Sequence, residues 1–168
     1  MRPAFVGFPA PVPNPPGGLP NARWLREGLL TSGQPEESAF PVLAAAGCGA
    51  VLNLLPPGQE RTDEEDRVLD LGMDYRVVPV VWLDPRPRDF ARFQSVLADW
   101  RDRNVLVHCA ANYRVSAFFH ILRTKVEGVD ASVSAAVLRD VWEPNPVWRD
   151  YLDRMGAPLP GVGAPPAG

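Results

Sequence analysis

Two side chains near the middle of the chain have the types and spacing of a nucleophile and an oxyanion clamp. They lie in NVLVHCAANYRVS, residues 104–116, where Cys109 follows His108 and Arg114 stands four intervening residues further on. An apolar, valine-rich run leads into the cysteine, and a helix-like pattern follows the arginine. A cysteine between a strand end and a helix start sits where backbone N–H groups of residues 110 to 115 can point inward. The positive end of the helix dipole adds to that pull on negative charge. Cysteines so placed act as thiolate nucleophiles near neutral pH. Arg114 supplies a permanent cation whose planar fork suits two oxygens of a bound oxyanion. Ala110, Ala111, Asn112 and Tyr113 would form the wrapping loop, and His108 would brace it or bias the thiolate by hydrogen bonding. The bland alternative is a buried structural cysteine and a surface arginine. That alternative is accepted for Cys48, which enters an apolar strand with no cation near it in sequence.

The elements around this loop must place it at the edge of a sheet. Arg23–Arg26 and Leu29–Ser32 read as a hairpin about Glu27-Gly28. A helix is expected over 36–46, ended by Gly47, and a buried strand over 50–55, closed by Pro56-Pro57-Gly58. Thr62 would cap a helix whose first turn carries Glu64, Glu65 and Asp66, favourable at the positive end of the dipole. Residues 75–81 read as a strand and 87–102 as a helix, with Phe90, Phe93, Val96, Leu97 and Trp100 at helical spacing. The strand 105–108 precedes the cysteine, and helices follow at about 115–127, 131–141 and 146–155. Alternating strands and helices predict an α/β fold, a three-layer α/β/α domain with a mostly parallel central sheet. Ligands in such sheets bind beyond the carboxyl ends of the strands, where Cys109 falls.

Composition narrows the function classes. The chain has 168 residues, 46% hydrophobic and 22% charged, enough for one domain with one sizeable core. A net charge of −3 recommends neither nucleic acid nor an anionic membrane as partner. Two cysteines and two histidines make neither a disulfide framework nor a structural zinc set. No Gly-rich nucleotide fingerprint or metal-ligand cluster is present, so no cofactor is expected. Prolines interrupt every apolar run near the start, and no segment approaches the ~18 residues of a membrane helix, so a cytoplasmic protein is expected. Seven of the first 20 residues are proline. Residues 1–22 read as a Pro-rich arm, residues 23–155 as the domain, and residues 156–168 as a Gly/Pro/Ala-rich flexible tail.

VHCAANYRVSAF resembles the signature of cysteine-dependent protein tyrosine and dual-specificity phosphatases: His-Cys, five residues, Arg, then Ser or Thr. TSGQPEESAFPVLAAAGCGAVLNLLPP, VVPVVWLDPRPRDF and WEPNPVW are similar to a bacterial branch that includes the beta-lactamase hydrolase-like phosphatase domains. The resemblance covers roughly residues 23 to 154 and implies a phosphatase-like fold. It further implies hydrolysis of a phosphomonoester, on a phosphorylated protein or a small molecule, through a phosphocysteine on Cys109. Arg114 and the loop amides would hold the equatorial oxygens, and an aspartate from another loop would protonate the leaving oxygen. Asp84, in VWLDPRP, is the candidate, with a solvated turn aspartate or helix cap as its bland reading and Asp89 as its rival. Arg86, Arg88 and Arg92 would form a basic rim or an exposed face pairing with nearby acids.

The loop departs from that signature. Four residues separate Cys109 from Arg114, Asn112 takes the usual glycine position, and the hydroxyl that assists sulfur as a leaving group falls on Ser116, after Val115. Asparagine tolerates the left-handed backbone such a turn needs. The shorter ring also resembles rhodanese-type sulfurtransferases, in which Cys109 would carry a persulfide and Asp84 no essential role. A non-catalytic phosphate-binding domain is the third reading.

Overall fold

The computed structural model describes residues 17–59 and 61–161. Residues 1–16 of the expected arm and 162–168 of the expected tail lie outside them. Among the described residues the elements run β1 (Arg23–Arg26), β2 (Leu29–Ser32), α1 (Ala39–Ala45), β3 (Ala50–Asn53), α2 (Glu64–Asp70), β4 (Asp74–Val77) and α3 (Pro87–Asp99). Then come β5 (Val105–His108), α4 (Tyr113–Ile121), α5 (Ala131–Val141) and α6 (Pro146–Arg154), with a π-helical turn over Leu122–Val126 extending α4. No helix among these residues is long and apolar enough to cross a membrane.

The strands form one sheet in the order β1-β2-β5-β3-β4, with β1 antiparallel to β2 and the other neighbours parallel. Side chains alternate across it, and both faces are covered, as a parallel sheet requires. Leu30, Val51 and Leu106 pack with Phe40 and Leu43 of α1 and Val68 of α2. Leu29, Leu52, Val105 and Val107 pack on the other face with Phe93 of α3, Phe118 of α4, Leu138 of α5 and Trp148 and Leu152 of α6. The three layers expected from the strand–helix alternation are therefore present. Parallel pairing sets Ser32, Asn53 and His108 side by side at the carboxyl edge, so the chain leaves β5 into Cys109 at the centre of that edge.

Several element boundaries differ from expectation; β3 ends at Asn53 and α3 at Asp99, both short of the expected limits, and three others bear on the site. α1 begins at Ala39 rather than residue 36 because Pro41 has no N–H to donate; starting there puts it in the first turn, where that donor is idle. β4 ends at Val77 rather than residue 81 because Pro79 interrupts the ladder. Val78 and Val80 still donate to the carbonyls of Asn53 and Leu54. α4 starts two residues early, at Tyr113, which brings Arg114 into the first turn of the helix. Packing also runs past both expected domain limits: Leu19 and Ala22 before residue 23, and Ala157 after residue 155, are buried.

Candidate active site

The loop Cys109–Asn112 is short because the backbone turns back at Asn112, whose φ of 68° lies in the left-handed region. Asparagine bears that conformation at less cost than most residues. Its buried side chain also ties the turn down, Nδ2 donating to the carbonyl of Asn21 at 2.8 Å and to Thr31 Oγ1 at 3.1 Å. Asn112→Ala is expected to cost about 2 kcal/mol, from the left-handed backbone (~1–2) and the lost hydrogen bonds (~1). Asn112→Gly keeps the backbone freedom and should lose about half as much. Chemical denaturation of the two variants checks this, and equal losses would assign the whole cost to the hydrogen bonds.

The rest of the loop is held by the segments that flank the β1–β2 hairpin. Gln34 N–H donates to Ala110 O at 2.9 Å, and Asn21 Nδ2 to Ala111 O at 3.1 Å. Contact is so close at Gly33 that a Cβ there would fall 2.6 Å from the carbonyl oxygen of Ala110, so only glycine fits. With the carbonyls drawn outward, the N–H groups carry the anion-binding capacity. Those of Tyr113, Arg114 and Val115, in the first helical turn, have no intrahelical acceptor. Among the described residues neither they nor those of Ala110 and Ala111 donate to another backbone group.

Cys109 is wholly buried, so a substrate reaches its sulfur only if the loop mouth widens. Arg114 is 5% exposed. Its Nε donates to Val80 O at 2.9 Å, and its guanidinium carbon lies 5.1 Å from the centroid of Trp82. That grip fixes the fork beside Cys109, where its terminal nitrogens would meet a bound anion. Burial pulls the guanidinium's affinity for its proton down, and the adjacent Cys109 offsets part of that as both charge and hydrogen-bond partner. Cys48 contrasts: burial pushes its thiol up to about 11, which leaves it a packed, unreactive side chain.

His108 is braced by a residue that the sequence reading placed elsewhere. Its Nε2 lies 2.8 Å from Oε2 of Glu64, and both side chains are fully buried. Tyr75 Oη donates to the same carboxylate at 2.6 Å, and Gln34 Nε2 to Oε1 at 2.6 Å. Burial opposes ionisation of Glu64, but His108, Tyr75 and Gln34 together outweigh it and hold the carboxyl below its ordinary value. An ionised carboxylate only accepts, so the His108 Nε2 carries the hydrogen, and Nδ1 faces Cys109 O at 3.4 Å. The one signal in the sequence was helical spacing: Glu64 and Val68, four apart, put an acid on the buried stripe of α2.

The aspartates separate by environment. Asp89 is 5% exposed and accepts from the backbone N–H of Arg86 at 2.9 Å, closing the first turn of α3. Asp84 is exposed and paired with Arg86, whose Nε lies 2.8 Å from its carboxylate. Arg88 and Arg92 are exposed on α3. Ser116 donates to Tyr113 O at 3.0 Å and accepts from Trp142 Nε1 at 3.1 Å, so its hydroxyl hydrogen is committed away from Cys109. Tyr113 stacks on Trp142 with ring centroids 4.6 Å apart, and Trp82 packs against both as well as Trp148. No cluster of metal-ligating side chains occurs among the described residues.

A largely parallel three-layer sheet with a cysteine at its carboxyl edge, and an arginine from the following helix beside it, defines a phosphatase-like α/β domain. The crystal structure described as "Putative phosphatase (DUF442)" from Shewanella putrefaciens CN-32 matches at a TM-score of 0.73 and 31% identity, over 83% of this chain and 91% of that one. The chain belongs to that DUF442 family. A beta-lactamase hydrolase-like protein of Agrobacterium fabrum is 26% identical over 149 residues, 83% of this chain; this chain spans only 33% of that relative's length. The core catalytic domain of the PP-IP phosphatase SIW14 from S. cerevisiae shares the fold, with a TM-score of 0.71 at 12% identity, over 82% of this chain and 86% of that one. No protein-family model matches the sequence.

Proposed function

We propose that this domain hydrolyses phosphomonoesters through a phosphocysteine on Cys109. The observation that carries the reading is the juxtaposition of a cysteine at the end of β5 with a buried arginine in the first turn of α4. Cys109 sulfur attacks phosphorus while Arg114 and the loop amides hold the equatorial oxygens, and the bond from phosphorus to the leaving oxygen breaks. Asp84 gives that oxygen its proton, then takes one from the water that cleaves the S–P bond. Asp89 is tied to a helix end, which leaves Asp84 as the accessible acid. Membership in the DUF442 family and the phosphatase fold of its neighbours support the same chemistry.

Turnover of an aryl phosphate by the purified protein, with a phosphocysteine trapped by acid quench, tests the proposal; no turnover counts against it. Asp84→Asn should slow the reaction by at least about 10²-fold, the lower range for general acid–base catalysis. An unchanged rate for this variant beside a slowed Asp89→Asn would move the acid to Asp89. One observation favours a persulfide instead: the four-residue loop around a fully buried sulfur makes a small cradle. Sulfur transfer from thiosulfate, in a protein inert toward aryl phosphates, would establish that reading.

A further inference from the structure

Asp84 hangs on a very short span of backbone. Val80 O accepts from Arg114 Nε at 2.9 Å, and Trp82 O accepts from Trp148 Nε1 at 3.1 Å. On the far side, Arg86 O accepts from Tyr151 Oη at 2.9 Å, and Arg86 N–H is held by Asp89. Only residues 83 to 85 lie between the second and third anchors. Leu83 and Asp84 are exposed there, while Pro85 is buried and restricts Asp84 to extended backbone. Both donors on the α6 side come from fully buried rings three residues apart, hence on one face of that helix. The two rings also touch each other, with centroids 5.6 Å apart, and Trp148 packs on Trp82 at 5.4 Å. The Tyr151 hydroxyl is not needed at that carbonyl to fill the core, because phenylalanine would supply the same ring.

We infer that α6 is the positioning element for the general acid, with Trp148 and Tyr151 gripping the acid loop on either side of Asp84. The inference rests on the phosphatase reading and assigns a role to two residues that touch neither substrate nor Cys109. Held at both ends, the loop presents Asp84 in a fixed place, on the same stretch of backbone whose Val80 carbonyl anchors Arg114. The leaving oxygen is then met by an acid already oriented, which is where a small displacement costs most. Burial pushes the Tyr151 hydroxyl up, with the charge of Asp89 adding to it, so it stays a donor across the working pH range.

Leaving-group dependence reads this directly, because an ester with a good leaving group needs no proton and one with a poor leaving group does. The quantity is kcat/KM for phenyl phosphate divided by that for dinitrophenyl phosphate. Measured on one preparation, the ratio cancels the folded fraction, and kcat/KM excludes the later hydrolysis of phosphocysteine. Tyr151→Phe removes one oxygen and keeps the ring, and Trp148→Phe is the independent second variant. Each should lower the ratio by about 10-fold, in the direction of Asp84→Asn and by no more than that variant does. Adding Tyr151→Phe to Asp84→Asn should change the ratio no further, since the phenol acts only through the acid. A ratio unmoved in both α6 variants while Asp84→Asn lowers it overturns the inference and leaves the phosphatase reading standing. If Asp84→Asn itself leaves the ratio unchanged, the assignment of the acid fails first, and the role of α6 with it.

Discussion

Cys109→Ser is expected to abolish turnover, by roughly 10⁴-fold or more, the scale on which removal of a covalent nucleophile acts. The substitution exchanges sulfur for oxygen and little else. A serine hydroxyl remains protonated at neutral pH, and neither Arg114 nor the loop amides can take its proton. Oxyanion binding should survive. Arg114 keeps its anchors on Val80 and Trp82 when its contact with Cys109 changes, and the loop is held by Gln34, Asn21 and Thr31, none of which the change touches. Titration with inorganic phosphate should therefore give an affinity within a few-fold of the unmodified protein, while the thermal midpoint moves little. Persistent turnover in Cys109→Ser would remove the cysteine from the mechanism. Binding of phosphate by both forms, with turnover by neither, would establish a phosphate-binding domain without catalysis.

What could be read from the sequence was what short-range chemistry encodes. The strand ending at His108, the helix that follows Arg114 and the order of elements follow from local periodicity, so the position of Cys109 at the sheet edge was legible. Boundaries failed where proline overrode apolar patterning, at Pro41 and Pro79, although both prolines stood in plain view. The deeper misses are pairings across long sequence separation. Glu64 looked like an ordinary acid at a helix start because only its spacing from Val68 marks it; its partner His108 lies 44 positions on. Trp148 and Tyr151 scan as core aromatics, and they are core. Their polar atoms acquire a purpose only when the fold sets them against carbonyls 66 and 65 residues earlier. Ser116 shows the converse: its position suggested a role at sulfur, and its hydroxyl donates to Tyr113 O while accepting from Trp142, 26 residues away.

Glu64→Ala is expected to destabilise the domain by about 3–5 kcal/mol, the cost of removing one member of a buried charged network. Three donors lose their acceptor at once, His108 Nε2, Tyr75 Oη and Gln34 Nε2, around a fully buried carboxylate, and each such loss is worth ~1–3 kcal/mol. A lower urea midpoint at unchanged slope checks the magnitude. The pH dependence follows from the direction of the shift. Folding holds the Glu64 carboxyl below the 4.5 of the free side chain, so the unfolded chain binds this proton first as the solution is acidified. Its stabilisation is complete above that value and disappears as pH falls through the lower folded one. Between neutrality and pH 4.5 the gap between the two proteins should stay constant as far as this group is concerned, and below 4.5 it should narrow. A gap that widens on acidification would mean that Glu64 is held protonated in the fold. His108 would then face a neutral partner, and the brace behind Cys109 would carry no charge.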